Sequence, residues 1–400
     1  MKKEFIKYYW LVFNAVLITA FFNPILYLFL LRTYTMSIIG LYLSIFWFTS
    51  FLTEIMCGAI TDRIGEKYAL ILSGIFRILG LIFLIQGNIG LLYLSAVCSG
   101  ISESFYSGSL SSWIINRANL LKIDMNTEKL FSRASLIGLC TSLVVGSLSI
   151  YYLYPFSTQL PFYLSIFATL IFIVSAFSLN GRHQMETSDM KTFVKKTYKE
   201  TINTFKQLFS VKTGFLMMCF LLLPEILDVG PSNQWQAVFS SIENNQNVLS
   251  VLWIVITVSG LFGSLISSKV LRKAKDIDAF SILITIDCIL ILIICLVPAI
   301  WIKVLSFGLH VMMNTITNIK ADVILHANIV KSDAGRNTTV STYYSFQSVF
   351  ISFMLVINGF SSEKLGIIET WIVTLVVVFF LLIILRFYLD RQKQFYHDEI

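Results

Sequence analysis

Twelve stretches of roughly 20 mostly apolar residues follow one another along this chain, each long enough to cross the hydrocarbon core of a bilayer. They fall at 8–31, 36–60, 69–86, 90–112, 130–152, 160–179, 213–239, 248–268, 279–297, 301–325, 339–360 and 367–387. A segment inside lipid must satisfy its own backbone hydrogen bonds, and the stretches lack the alternating pattern of a β-barrel. They are therefore predicted as helices. The composition agrees, since 13% charged residues is about half the share of an ordinary soluble domain. With 34 Phe and only 23 acidic residues, the net charge of +7 does not describe a disordered or nucleic-acid-coating chain. The reading is an all-α membrane protein of 12 transmembrane helices.

Basic residues set the predicted topology. With the N-terminus inside, alternate loops and tails on the cytoplasmic side hold 25 Lys and Arg, and the external loops hold 3, Arg32, Lys303 and Lys364. Both termini are therefore expected in the cytoplasm. The apolar run after Lys2, Lys3 and Lys7 is too long for a signal-peptide core and is read as a retained first span. The polar stretch from Asn180 to Lys212 divides the chain into two six-helix halves, 1–180 and 213–400, with a linker at 181–212. Within the linker Val194, Tyr198, Ile202, Phe205 and Phe209 recur at helical spacing among lysines. The pattern suits either an amphipathic helix on anionic headgroups or a solvated tether. Two halves of equal span count suggest an internal duplication of the transporter kind.

Six cysteines all lie in apolar runs, without a CxxC pair or a nearby His, and are read as buried thiols with neither disulfide nor metal role. No GxxxxGK[ST] loop, HExxH or GxSxG is present, so neither ATP-driven transport by this chain alone nor membrane-enzyme chemistry is expected. No cofactor is expected.

Between the second and third spans the sequence reads Gly58-Ala59-Ile60-Thr61-Asp62-Arg63-Ile64-Gly65-Glu66-Lys67. It resembles the signature G-x-L-a-D-r-x-G-r-k of the major facilitator superfamily, with Gly58, Asp62, Arg63, Gly65 and Lys67 in register and Glu66 replacing the usual second Arg. A weaker copy follows one half later, where Gly263 precedes Lys269, Arg272 and Lys273 without an acidic residue. Glycines at 58 and 65 allow close helix approach and a tight turn, and Asp62 beside Arg63 and Lys67 suits an electrostatic latch. The resemblance places that latch against the N-terminus of helix eleven.

Shorter likenesses point to bacterial drug-efflux-type members, of the macrolide or tetracycline kind. These are Ser107-Gly108-Ser109 with Trp113, the stretch Gly335-Arg336-Asn337-Thr338-Thr339-Val340-Ser341, and Trp235-Gln236. Two features of exporters are missing. The fourth-span Arg would fall near Ala96, and the fifth span has Gly138 and Gly146 but no Gly-Pro antiporter pair.

Ionisable groups inside spans are functional suspects. Here they are Glu54, Arg77, Glu103, Glu225, Asp228, Asp287 and His310. Glu54 and Arg77 lie roughly 10 and 14 Å deep at 1.5 Å per residue, so an intramembrane pair is expected. Glu103 stands near mid-membrane among Ser99, Ser102, Ser107 and Gly108, on a helix fit to line a wet cavity or to pack closely. Pro224, Gly230 and Pro231 interrupt the seventh span, where Glu225 and Asp228 share a face. Two close carboxylates suit proton coupling, or a counter-ion for a cationic substrate. Asn14, Asn23 and Pro24 give the first span polar, bendable positions.

In the superfamily the first, fourth, seventh and tenth helices line the central cavity. The resemblance thus favours Glu103, Glu225, Asp228 and His310 over Asp287 as cavity groups. The expected protein is a monomeric secondary transporter of the bacterial inner membrane, coupling protons to export of small amphipathic molecules or drugs. Import of a nutrient or peptide, or a non-transporting sensor on the same fold, are the alternatives. Its partners are substrate, protons and lipid, with no nucleic acid.

Overall fold

The computed structural model describes residues 2–122, 126–180, 199, 212–242, 246–267, 269–270, 276–325 and 336–397. Among these, twelve helices are long and apolar enough to span a membrane. They are α1 (Lys3–Leu31), α2 (Met36–Ile64), α3 (Glu66–Ile85), α4 (Ile89–Leu120), α5 (Lys129–Phe156) and α6 (Leu160–Phe177). The second set is α7 (Phe215–Ser240), α8 (Asn247–Ile266), α9 (Ile277–Leu296), α10 (Ile300–Ile324), α11 (Tyr343–Leu365) and α12 (Ile367–Leu389). Every described element is helical. The linker pattern at 194–209 lies outside the described residues, apart from Lys199.

Helices outlast their apolar runs where the sequence lets them. α2 continues to Ile64, so Gly58, Asp62 and Arg63 sit in its last turns rather than in a loop. The helix stops at Gly65, whose φ of 86° and ψ of 155° belong to glycine alone. A Cβ at Gly58, by contrast, would meet nothing within 4 Å, so the close helix approach expected there is absent. The close approach falls instead at Gly100 on α4, where a Cβ would stand 2.7 Å from the Phe46 carbonyl oxygen of α2.

Four spans are irregular, each for a local reason. In α1 the segment Asn23–Ile25 tightens to a 3₁₀ turn around Pro24, which has no N–H to donate. In α4 the helix breaks at Ser107–Gly108, with Gly108 left-handed at φ 73°. α5 widens to a π-turn at Ser149–Leu153, where the Ser149 hydroxyl donates to the Phe21 carbonyl of α1. α7 is interrupted at Leu222, and Pro224 occupies the first turn of its second segment.

The chain forms two units, 1–197 with 245–253, and 198–244 with 254–400. In the first unit hydroxyls bind α4 to its neighbours. Ser104 donates to the Ser50 carbonyl of α2 at 2.9 Å, and Ser102 to the Ser73 carbonyl of α3 at 2.9 Å. In the second unit Gln234 of α7 is fully buried, donating to Ser362 of α11 at 2.9 Å and accepting from the Trp371 indole of α12 at 3.0 Å.

Candidate functional site

Three helices of the second unit each bring an ionisable residue to one point. Asp287 is the eleventh residue of α9 and His310 the eleventh of α10, so both sit near mid-span. Asp228 comes from α7, between Pro224 and Pro231. The His310 ring is fully buried, with Nδ1 2.7 Å from Asp287 Oδ1 and Nε2 3.0 Å from Asp228 Oδ1. Asn314, one turn further along α10, donates to the other Asp228 oxygen at 2.9 Å. Phe307 packs edge-on against the imidazole, with centroids 5.5 Å apart. The three side chains differ in exposure: 0% for His310, 2% for Asp287 and 18% for Asp228. Asp228 is therefore the open end of the cluster and Asp287 its closed end.

Glu225 lies one turn before Asp228 and only partly buried, its carboxylate held by the Asn318 and Gln347 side chains. The cluster thus continues along one face of α7. Among the described residues, no group of three or more His, Cys, Asp or Glu is arranged to hold a metal ion.

The first unit has its own charges within the spans. Arg77 of α3 and Glu103 of α4 pair at 3.0 Å on the wall of a cavity of about 170 Å³. The pairing expected between Arg77 and Glu54 is not formed. Arg77 shares a face of α3 with Ser73, and that face turns to α4, where Ser102 and Glu103 meet it. Glu54 instead lines a second cavity, of about 390 Å³, with Gly58, Asp62, Gly65 and Glu66 on one side. Ser107, Gly108, Ser109 and Ser112, around the break in α4, form the other side. Asn116 donates to Glu66 across it at 2.6 Å. Arg63 and Lys67 belong to the same hairpin, and Lys67 lies 5.9 Å from the Phe177 ring.

Several predicted site residues fall elsewhere. Asn14 is buried on α1 and donates to the Trp10 carbonyl of its own helix at 2.8 Å. Asn23 sits in the 3₁₀ turn. The side chains of 335–341 lie outside the described residues. Cys140 is exposed and Cys219 and Cys295 are only partly buried, against the expectation that all six thiols are buried. Asp287, ranked below the other carboxylates, has the tightest contact of the central cluster. The signal in the sequence is depth, because it and His310 are ionisable residues at the middle of consecutive apolar spans.

A comparison with family profiles matches residues 9–389 to the Major Facilitator Superfamily. The chain belongs to that superfamily. Its fold is that of a multi-pass membrane transporter, not of an enzyme. A curated superfamily relative, the uncharacterized MFS-type transporter YxaM of Bacillus subtilis (strain 168), is 27% identical over 204 residues. The match covers 48% of this chain and 50% of that one, so it spans about half the length of the relative. Among solved structures, the nucleoside transporter NupG aligns with a TM-score of 0.78 at 13% identity, covering 96% of this chain and 98% of that one. A POT family transporter in complex with 5-aminolevulinic acid aligns at 0.69 and 12% identity, over 97% and 96%. These two likenesses establish the fold alone. Drug-efflux membership, suggested by the shorter motifs, is not among these matches.

Proposed function

We propose that this superfamily member is a proton-coupled secondary transporter of small molecules in the bacterial plasma membrane, working by alternating access. The observation that carries the reading is the Asp287–His310–Asp228 arrangement. Its two nitrogen–oxygen contacts, at 2.7 and 3.0 Å, each require one hydrogen. A neutral imidazole supplies one hydrogen and two carboxylates supply none. The cluster as built therefore holds one further proton, on the ring or on a carboxyl. Losing it sets a nitrogen lone pair against a carboxylate at hydrogen-bond distance, and the cluster must open. Deprotonation is then tied to a change in how α7, α9 and α10 pack, which is the requirement for coupling. Glu225 extends the protonatable face of α7 towards Asn318 and Gln347.

Outward transport of small amphipathic molecules is supported by the likeness of Ser107-Gly108-Ser109 and Trp113 to exporter sequences. Asp62, beside the 390 Å³ cavity, serves as the gating carboxylate. Asp62→Asn should leave insertion intact and shift the conformational ratio roughly 5- to 30-fold, for an interaction of about 1–2 kcal/mol.

The test is tracer flux of a panel of small amphipathic solutes in proteoliposomes, with and without an imposed pH gradient. H310Q, D287N, D228N and E225Q should bind solute yet fail to move it uphill. Full gradient-driven transport in all four variants overturns the proton-coupling assignment.

A further inference from the structure

The first unit contains a charged cavity that the coupling cluster does not use. It is small: about 170 Å³, below the roughly 300–1,000 Å³ of sites that hold drug-sized molecules. Its walls come from α1, α3, α4 and α6, with Thr19, Ser73 and Tyr106 offering hydroxyls and Phe172 an apolar surface. Arg77 and Glu103 both line it and pair with each other at 3.0 Å. Their exposure is unequal, 13% for the Arg77 side chain and 41% for Glu103, so the carboxylate faces the opening.

The pair is neutral as it stands, and that constrains what it can accept. An isolated cation beside Glu103 leaves Arg77 uncompensated in a low-dielectric site, and an isolated anion beside Arg77 does the same to Glu103. A molecule carrying both charges exchanges one ion pair for two, and the site stays neutral. The two charged groups of an α-amino acid sit on the same carbon, matching side chains already in contact. A guanidinium suits a carboxylate through paired N–H donors, and a carboxylate suits an ammonium.

We propose that this cavity is a subsite for a small zwitterion of the α-amino-acid kind, its carboxylate held by Arg77 and its ammonium by Glu103. The proposal rests on the transport reading above and narrows its substrate class. Phe172 and the aliphatic wall from Ala15, Val16 and Ile18 then take an apolar side chain.

The experiment measures equilibrium binding to the purified full chain, by calorimetry without any gradient, so coupling does not enter. The probes are leucine, its amide as the cation-only analogue, and 4-methylpentanoate as the anion-only analogue. Leucine should bind at least tenfold more tightly than either analogue. The R77Q/E103Q double variant, which keeps the cavity neutral, should lose that preference, while H310Q keeps it. Equal binding of the three probes, no leucine binding, or a preference that survives R77Q/E103Q overturns the subsite. Loss of leucine binding in H310Q as well as in R77Q/E103Q also overturns it, because recognition would then not belong to this cavity. Gradient-driven flux of other solutes with no leucine preference would leave proton coupling standing and refute only the zwitterion. Leucine binding with unaltered uphill flux in H310Q, D287N, D228N and E225Q would do the reverse.

Discussion

Asp287 Oδ1 lies 2.7 Å from His310 Nδ1 at a point where neither side chain is more than 2% exposed. An aspartate this deep in an apolar helix is held there by the imidazole, and the imidazole's second nitrogen is committed to Asp228 at 3.0 Å. Each member is therefore a condition for the other two.

Asp287→Ala should destabilise the protein by about 2–4 kcal/mol, because it leaves a buried ring nitrogen without a partner. Asp287→Asn should fold, since an amide can either donate or accept and removes the need for the additional proton. Wild-type stability should consequently fall with rising pH, across the window in which the cluster gives up that proton. The D287N curve should be nearly flat over the same window. Thermal melts in detergent across pH check both statements, and parallel curves would contradict the proton count.

Arg77 and Glu103 call for a double-mutant cycle. Glu103→Gln strands the more buried Arg77 and should cost about 2 kcal/mol, whereas Arg77→Gln strands the half-open Glu103 and should cost about 1 kcal/mol. Combined, R77Q/E103Q should be less destabilised than the two singles together, with a coupling of at least about 1 kcal/mol. Additive losses in chemical denaturation would show that the pair contributes nothing beyond its separate side chains.

Two glycines of the signature should respond in opposite ways. Gly65→Ala forces a Cβ into φ 86°, ψ 155° and should cost about 1–3 kcal/mol. Gly58→Ala enters open space within a helix and should be neutral or stabilising by up to about 1 kcal/mol. Melting temperatures of the two variants, compared with wild type, decide the matter, and equal shifts would refute the contrast.

Membrane orientation is tested by thiol labelling in intact cells. Cysteines introduced at Asn126 and Ser188 should be shielded from an impermeant reagent, and one at Asn245 should react. The six native cysteines must be replaced beforehand. Labelling of Ser188→Cys from outside would reverse the predicted sidedness.

Much of this architecture is legible in the sequence. Apolar run length locates all twelve spans, and Pro24, Gly108 and Pro224 mark three of the four places where a span loses regularity. What linear depth does not supply is rotation about the helix axis. Glu54 and Glu103 are both within reach of Arg77 by depth, and the choice falls to the α3 face that also carries Ser73. Rotation likewise decides that Asn14 turns back on its own helix while Asn314 reaches Asp228. Asp287 and His310 are visible individually, but their contact with Asp228 depends on three helices converging, and the pattern within any one span does not encode that. The end of α2 differs from expectation for another reason. Charged residues stop an apolar run without stopping a helix, and only Gly65 does the latter.

The serine contacts that fasten α4 to α2 and α3 bear on how the protein can be handled. Lipid tails are as apolar as Leu, so oily side chains give helices little reason to prefer one another over their surroundings. Ser104 on the Ser50 carbonyl, Ser102 on the Ser73 carbonyl and the close approach at Gly100 depend on contact geometry instead. An attachment of that kind is indifferent to whether the surrounding medium is phospholipid or a mild detergent micelle. The α2–α3–α4 assembly should therefore come through extraction intact, and it offers a sound place to attach probes or affinity handles for work outside the membrane.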